Sequence, residues 1–151
     1  MIYTQVAKIK PAVNQVESHP FLSQRKLMTH MDKYGIKLMA YSPLGGSPTE
    51  SNAFVNADVR KDLFENEIIK LLAIKYRKSI GQILIKYQLA RGNIVIPKSV
   101  TKSRIEENIN IFDFDLTDEE VQQLDSLNKN LRFVHLSGFA KHKNYPFNDE
   151  Y

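Results

Sequence analysis

The sequence predicts an α/β fold with parallel strands, on three observations. Short apolar strand runs alternate with helix signals, the helix starts carry capping residues, and polar groups follow directly where the apolar runs stop. With 151 residues, 42% hydrophobic and 25% charged, the composition is that of a globular chain with one modest core. No apolar run approaches the roughly 18 residues of a membrane span, and MIYTQVAKIKP lacks the continuous apolar stretch of a secretory signal. The absence of cysteine excludes a disulfide framework, a zinc-thiolate site and a cysteine nucleophile, and fits a reducing, cytoplasmic setting.

Pro11 to Glu17, Ile36 to Ser42 and Ile94 to Ile96 read as short, mostly apolar strands, as in a parallel sheet covered on both sides. Between the first two, Ser23 is the expected cap of a helix, Leu22 and Leu27 its hydrophobic staple, and Gly35 its stop. Pro43 to about Asn56 is rich in Gly, Pro, Ser and Asn. It is much longer than an ordinary connection of about two to six residues, which makes it a candidate functional loop.

Glu67 to Tyr76 aligns Ile68, Ile69, Leu72, Ala73 and Tyr76 on one helical face. Ser79 and Gln82 then form a capping box for a helix that buries Ile80, Ile83, Leu84 and Tyr87. A helix over about Lys102 to Ile109 follows the third strand, and Leu116, Thr117, Glu120 and Val121 open another as staple, cap, box and staple. Asn128 to Tyr151 has no sustained period and reads as a tail. The order is β-α-β-α-α-β-α-α, with right-handed crossovers. Three strands leave two unpaired edges and incompletely covered faces, so residues 1–151 read as one incomplete domain that self-associates through open sheet edges.

The 21 basic residues exceed the 17 acidic ones by four, yet the two kinds are interleaved and no block of five or six like charges occurs. A nucleic-acid partner is therefore not expected, whereas a small anionic ligand suits the excess. In parallel α/β folds ligands bind beyond the C-terminal ends of strands. Those ends here carry Asn14-Gln15, Tyr41-Ser42 and Pro97-Lys98-Ser99. Gln15 suits either a ligand carboxamide or a backbone partner, and Tyr41 either a stacked planar ring or the edge of the core. Lys98 and Arg104 suit phosphate, with the hydroxyls of Ser99 and Thr101 and the N–H groups of the next helix start completing an anion site. Alternatively, they are exposed charges on a helix and its lead-in. Gly45-Gly46 makes no GxGxxG, and neither GxxxxGK[ST] nor GxSxG occurs. His19, His30, His135 and His142 lack metal-ligand spacing, so no metal is expected.

Taken in order, PAVNQVESHPFL, GIKLMAYSPLG, IPKSVTKSRIEEN and the terminal KHKNYPFNDEY closely resemble the C-terminal half of an aldo-keto reductase. The resemblance implies a partial (β/α)8 TIM barrel comprising strands six to eight and the C-terminal tail, in an NADP-dependent oxidoreductase domain. It implies NADP(H) as cofactor and hydride transfer that reduces aldehydes and ketones to alcohols. It makes Gln15 the partner of the nicotinamide carboxamide and Tyr41 the ring stacked on the nicotinamide, with Ser42 and Leu44 lining the pyrophosphate. Lys98, Ser99 and Thr101 would hold the adenosine 2′-phosphate, with Val100 beside it. Arg104 would reach that phosphate and the adenine, and Glu107 and Asn108 the adenine amino group and ring. SPLGGSPTE carries an extra residue, which leaves Ser47 unassigned, and Ser18 stands where many relatives have cysteine.

The family's catalytic Asp, Tyr, Lys and His lie on its first four strands, and a carboxamide-holding Ser-Asn pair follows the fifth; none has a counterpart here. Met1 to Ala7 would then be the end of the helix before the sixth strand. A full barrel takes about 250 residues, which agrees with an incomplete one. The isolated chain is expected to be inactive, and a carbonyl substrate to bind only if a full barrel exists. Phe133, Leu136 and Phe139 suggest either an apolar wall of the substrate pocket or anchors for the tail. A different class of function is a non-enzymatic truncated paralogue, acting as a nucleotide-binding or protein-interaction module.

Overall fold

Each apolar run forms a strand: β1 (Val13–Glu17), β2 (Lys37–Tyr41) and β3 (Ile94–Val95). They pair in parallel, in the order β1-β2-β3, with Glu17 opposite Tyr41 and Met39 opposite Ile94. This computed structural model describes residues 6–46 and 57–148; most of the expected long loop and Ser47 within it lie outside the described residues, as do residues 1–5 and 149–151.

Register puts paired residues on the same sheet face and alternate residues on opposite faces. Leu38 and Ala40 are buried and pack with Val16 against Leu27 and Met31 of α1 (Arg25–Asp32). On the other face Val13, Ile94 and Ile96 are exposed, at 38%, 38% and 40% of their surface. Among the described residues this face is covered only near Glu17, as expected of incompletely covered faces and unlike strands covered on both sides. The open face carries Gln15 and Lys37 beside Val13, Met39 and Ile94, so it is more polar than the face of Val16, Leu38 and Ala40.

Helix α1 corrects a second expectation. Its cap is Gln24, in left-handed backbone at φ 56° and without a side-chain cap bond, rather than Ser23. Ser23 is buried, its N–H donating to Asn128 Oδ1 at 3.0 Å and its carbonyl accepting from Arg91. Long-range partners thus take the backbone groups that a local cap would have used. Gly35 stops the turn after the helix at φ 68°, a conformation a side chain would strain.

Beyond β2, α2 (Ala57–Glu65) was not expected: Ala57, Val59, Leu63 and Phe64 make only a short apolar pattern directly after the Gly- and Pro-rich segment. Helices α3 (Glu67–Tyr76) and α4 (Ile80–Ala90) follow. Asn66 caps α3 by accepting from the N–H groups of Ile68 and Ile69, and Ser79 with Gln82 makes the expected capping box on α4. All residues of α4 from Gly81 to Gln88 are buried, because it lies between neighbours on several sides. One is α5 (Lys102–Ile109); another is α6 (Asp118–Asp125), which opens with the expected Thr117 to Glu120 capping box.

The larger core joins Ile69, Leu72, Ile83, Leu84, Leu124 and Phe133, so it draws on α3, α4, α6 and the tail. Glu120 is buried within it yet fully used: it accepts from Lys75 Nζ at 2.7 Å, from the Tyr76 hydroxyl at 2.6 Å and from the Thr117 N–H at 2.8 Å. The tail contributes two short 3-10 turns, Ser137–Phe139 and Pro146–Asn148. Among the described residues no helix is long and apolar enough to cross a membrane.

Candidate nucleotide site

At the C-terminal ends of β2 and β3 lies a cavity of about 560 Å³. Each side comes from a different stretch of chain. After β2, the backbone at Ser42 turns into left-handed conformation at φ 47°, and Gly45 donates back to the Ser42 carbonyl at 2.9 Å. Such a conformation in a non-glycine residue at a strand end is the kind of strain that collects at functional sites. Ser42, Pro43, Leu44 and Gly46 form that wall.

The opposite wall follows β3. Lys98, Ser99, Val100 and Thr101 lead into α5, whose Arg104, Glu107 and Asn108 also line the cavity. Thr101 caps α5 in position but makes no side-chain cap bond. The Ser99 hydroxyl accepts from the Thr101 N–H at 3.2 Å, which fixes the lead-in and leaves the first N–H groups of the helix without a side-chain acceptor. Lys98 and Arg104 make no ion pair or hydrogen bond among the described residues, whereas Lys102 on the same helix has Glu106 at 3.9 Å. Two uncommitted cations beside an uncapped helix start form a ready anion site.

The floor comes from α4 and α2. Ser79, Ile80, Gly81 and Phe64 line it, and the Ser79 hydroxyl donates to Glu107 Oε1. That bond spans α4 and α5 and points the Glu107 carboxylate at the cavity, while the Glu107 carbonyl accepts from Gln82 Nε2 at 3.1 Å. A carboxylate so held is an acceptor-only group, suited to an amino group on a ligand.

Nine of the eleven expected residues therefore surround one cavity: Ser42, Leu44, Lys98, Ser99, Val100, Thr101, Arg104, Glu107 and Asn108. Gln15 and Tyr41 do not line it. They share the open sheet face beside it, Gln15 exposed with its Nε2 3.4 Å from Met39 Sδ, and Tyr41 half-buried directly before Ser42. Burial, and then the neighbouring Glu17 carboxylate, push the Tyr41 hydroxyl above its ordinary pKa. Sequence reasoning missed Ser79, Ile80, Gly81 and Phe64. The capping box at Ser79 was legible, but its bond to Glu107, 28 residues away, was not. Among the described residues no three His, Asp or Glu side chains gather in a way that could hold a metal ion.

Residues 2–129 match the model of the Aldo/keto reductase family. Aldo-keto reductase family 1 member D1 of Mus musculus is 44% identical over 144 residues, covering 95% of this chain and 43% of that protein. Aldo-keto reductase family 1 member A1 of Sus scrofa is 45% identical, covering 97% and 46% respectively. A crystal structure of a Bombyx mori aldo-keto reductase in complex with NADP superposes with a TM-score of 0.79 at 41% identity, over 94% of this chain and 45% of that one. The chain thus spans less than half the length of these relatives.

The match corrects the extent of the resemblance. It was expected to be the C-terminal half of the family domain only, strands six to eight with the tail. The family model instead covers residues 2–129, the N-terminal part of this chain, and stops before most of the tail. The physical reason lies in the segments themselves: residues 13–125 carry all the described strands and α-helices, whereas the tail adds only two 3-10 turns and no periodic core pattern. With that limit removed, the family match, the relatives and the structural likeness show that this chain belongs to the aldo/keto reductase family.

Proposed function

We propose that this chain is the NADP(H)-binding part of an aldehyde and ketone reductase, a single incomplete domain with part of a TIM barrel. The observation that carries the reading is the pair of uncommitted cations, Lys98 and Arg104, at an uncapped helix start on the cavity wall. In this reading they hold the adenosine 2′-phosphate with Ser99 and Thr101, Val100 packs beside it, and Glu107 and Asn108 take the adenine edge. Ser42 and Leu44 line the pyrophosphate, so that the nicotinamide reaches Tyr41 and Gln15 on the adjacent open sheet face. The crystal structure of the Bombyx mori relative in complex with NADP supports the same cofactor class. When bound, NADPH supplies a hydride; what these residues contribute is orientation and charge neutralisation.

The isolated chain holds the nucleotide without turning a carbonyl over. The quoted motifs contain no counterpart of the family's catalytic Asp, Tyr, Lys and His, and a positioned proton donor is typically worth about 10²- to 10⁴-fold in rate. A carbonyl substrate joins only where a complete barrel forms. The open edges at β1 and β3 favour self-association, to which the exposed Val13, Ile94 and Ile96 add apolar surface. Interleaved charge speaks against a nucleic-acid partner, and the cysteine-free sequence favours the cytoplasm.

Titrating purified chain with NADPH and with NADH, following nicotinamide fluorescence, tests the reading. Saturable binding with a clear preference for the phosphorylated cofactor is expected. Equal affinity for the two, or no binding at millimolar concentration, overturns it. Reduction of a simple aldehyde by the same preparation would overturn the inactivity.

A further inference from the structure

Along the open face of β1, burial changes abruptly. Val13 and Gln15 are exposed, yet Glu17, which points the same way, has none of its surface accessible. Sheet pairing alone does not cause this, because Val13 and Gln15 on the same face stay exposed and Tyr41 opposite is only half-buried. The tail does. The Phe133 N–H donates to Glu17 Oε1 at 2.6 Å, and the Val134 N–H to Oε2 at 3.2 Å.

His19 closes the arrangement. Its Nε2 lies 2.9 Å from Glu17 Oε1, and its ring meets that of Phe133 edge-on with centroids 4.3 Å apart. Because a carboxylate only accepts, the proton is assigned to Nε2, and the buried Nδ1 has no partner among the described residues. A buried carboxylate is costly unless its lone pairs are matched, and an apolar side chain would fill the same space at less expense. What an apolar side chain cannot do is aim two successive backbone N–H groups. Glu17 is also the register partner of Tyr41, so its side chain and the Tyr41 ring are neighbours on the same sheet face.

We propose that Glu17 is a positioning residue: it clasps the tail at Phe133 and Val134 over the ends of β1 and β2, and so sets the wall against which the nicotinamide end of the dinucleotide lies. The proposal rests on the nucleotide-binding reading above. It predicts that Glu17 acts on one end of the ligand only, because Glu17 does not line the cavity that faces Lys98 and Arg104.

The 151-residue chain, its Glu17→Gln variant and its Phe133→Leu variant test this by two readouts. Backbone amide exchange is followed by mass spectrometry over residues 131–136. Dissociation constants are measured for NADPH and for adenosine 2′,5′-bisphosphate, which carries the 2′-phosphate but no nicotinamide. In Glu17→Gln one backbone donor faces an amide that cannot accept from it. Exchange in the segment should rise by about tenfold or more, the scale of one lost charge-assisted hydrogen bond. NADPH binding should weaken by about fivefold while the bisphosphate is unaffected. Phe133→Leu keeps the carboxylate and both donors but loses the ring contact, so it should shift both readouts the same way by less, and it serves if Glu17→Gln does not fold. Unchanged exchange, or parallel loss of both ligands, overturns the proposal. Failure of the unaltered chain to bind either nucleotide overturns the functional reading instead, and the exchange contrast then decides the clasp alone.

Discussion

Arg104 offers the sharpest test of how the cavity distinguishes nucleotides. It lines the wall, is exposed, and has no partner among the described residues, so replacing it costs the fold nothing that the structure records. A unit charge about 4 Å from a phosphate is worth about 1 kcal/mol in bulk water and about 4 kcal/mol at the effective dielectric near a protein surface. The exposure of α5, none of whose residues is buried, puts Arg104 toward the lower figure. About 1–2 kcal/mol corresponds to about a 5- to 30-fold change in equilibrium. Arg104→Ala should therefore raise the NADPH dissociation constant by about that factor in low salt, with NADH changed by less than about twofold. The contrast should shrink as salt is raised, because the site is open to solvent. Arg104→Lys keeps the charge but loses the planar fork, and should fall between the two. Calorimetric or fluorescence titration with both nucleotides at two ionic strengths measures all of this. A parallel loss of NADH affinity, or no loss for NADPH, would refute the assignment of Arg104 to the 2′-phosphate.

Three further expectations concern stability and assembly. Glu120→Ala leaves the Tyr76 hydroxyl and the Thr117 N–H without their acceptor, a loss of about 2–4 kcal/mol that urea denaturation should report; a loss below about 1 kcal/mol would mean water replaces the carboxylate. The pair with Lys75 adds little to this, since Lys75 is more than half exposed. His19 is held below its ordinary pKa of 6.5 by burial, which outweighs the raising effect of its bond to Glu17. The unfolded chain therefore binds the extra proton first: this contribution is complete above about pH 6.5 and is lost as pH falls below it, at up to about 1.4 kcal/mol per pH unit. His19→Gln, whose amide can still donate to Glu17, should flatten the urea midpoint between neutral and mildly acid pH; an unaltered slope would assign the acid lability to other groups. Sedimentation over a wide concentration range should show self-association, as expected of open sheet edges, and a single monomeric species throughout would contradict it.

Much of the local structure was legible because its causes are local. The capping boxes at Ser79 and Thr117 and the apolar periodicity of Glu67–Tyr76 depend on residues three or four apart, and all three formed where they were expected. Ser23 failed as a cap because Asn128 and Arg91, distant in sequence, claim its backbone groups. Helix α2 gives only a weak helical signal, because Val59, Leu63 and Phe64 make a short apolar pattern beside the Gly- and Pro-rich segment.

The candidate site divides along the same line. By itself the sequence determined the chemistry on offer: cations, hydroxyls and a carboxylate after the third strand, and polar side chains ending the first two. Those groups follow from residue type and from the rule that ligands meet parallel strands at their C-terminal ends. Only the tertiary structure decided which of them share a cavity, that Ser79 aims Glu107, that Gln15 and Tyr41 stand on the adjoining sheet face, and that Glu17 is buried by the tail. Hydrogen bonds spanning 28 and 116 residues leave no periodic trace in a sequence, because nothing in local backbone geometry requires them. They exist because folding brings donors to a carboxylate that could not otherwise be buried.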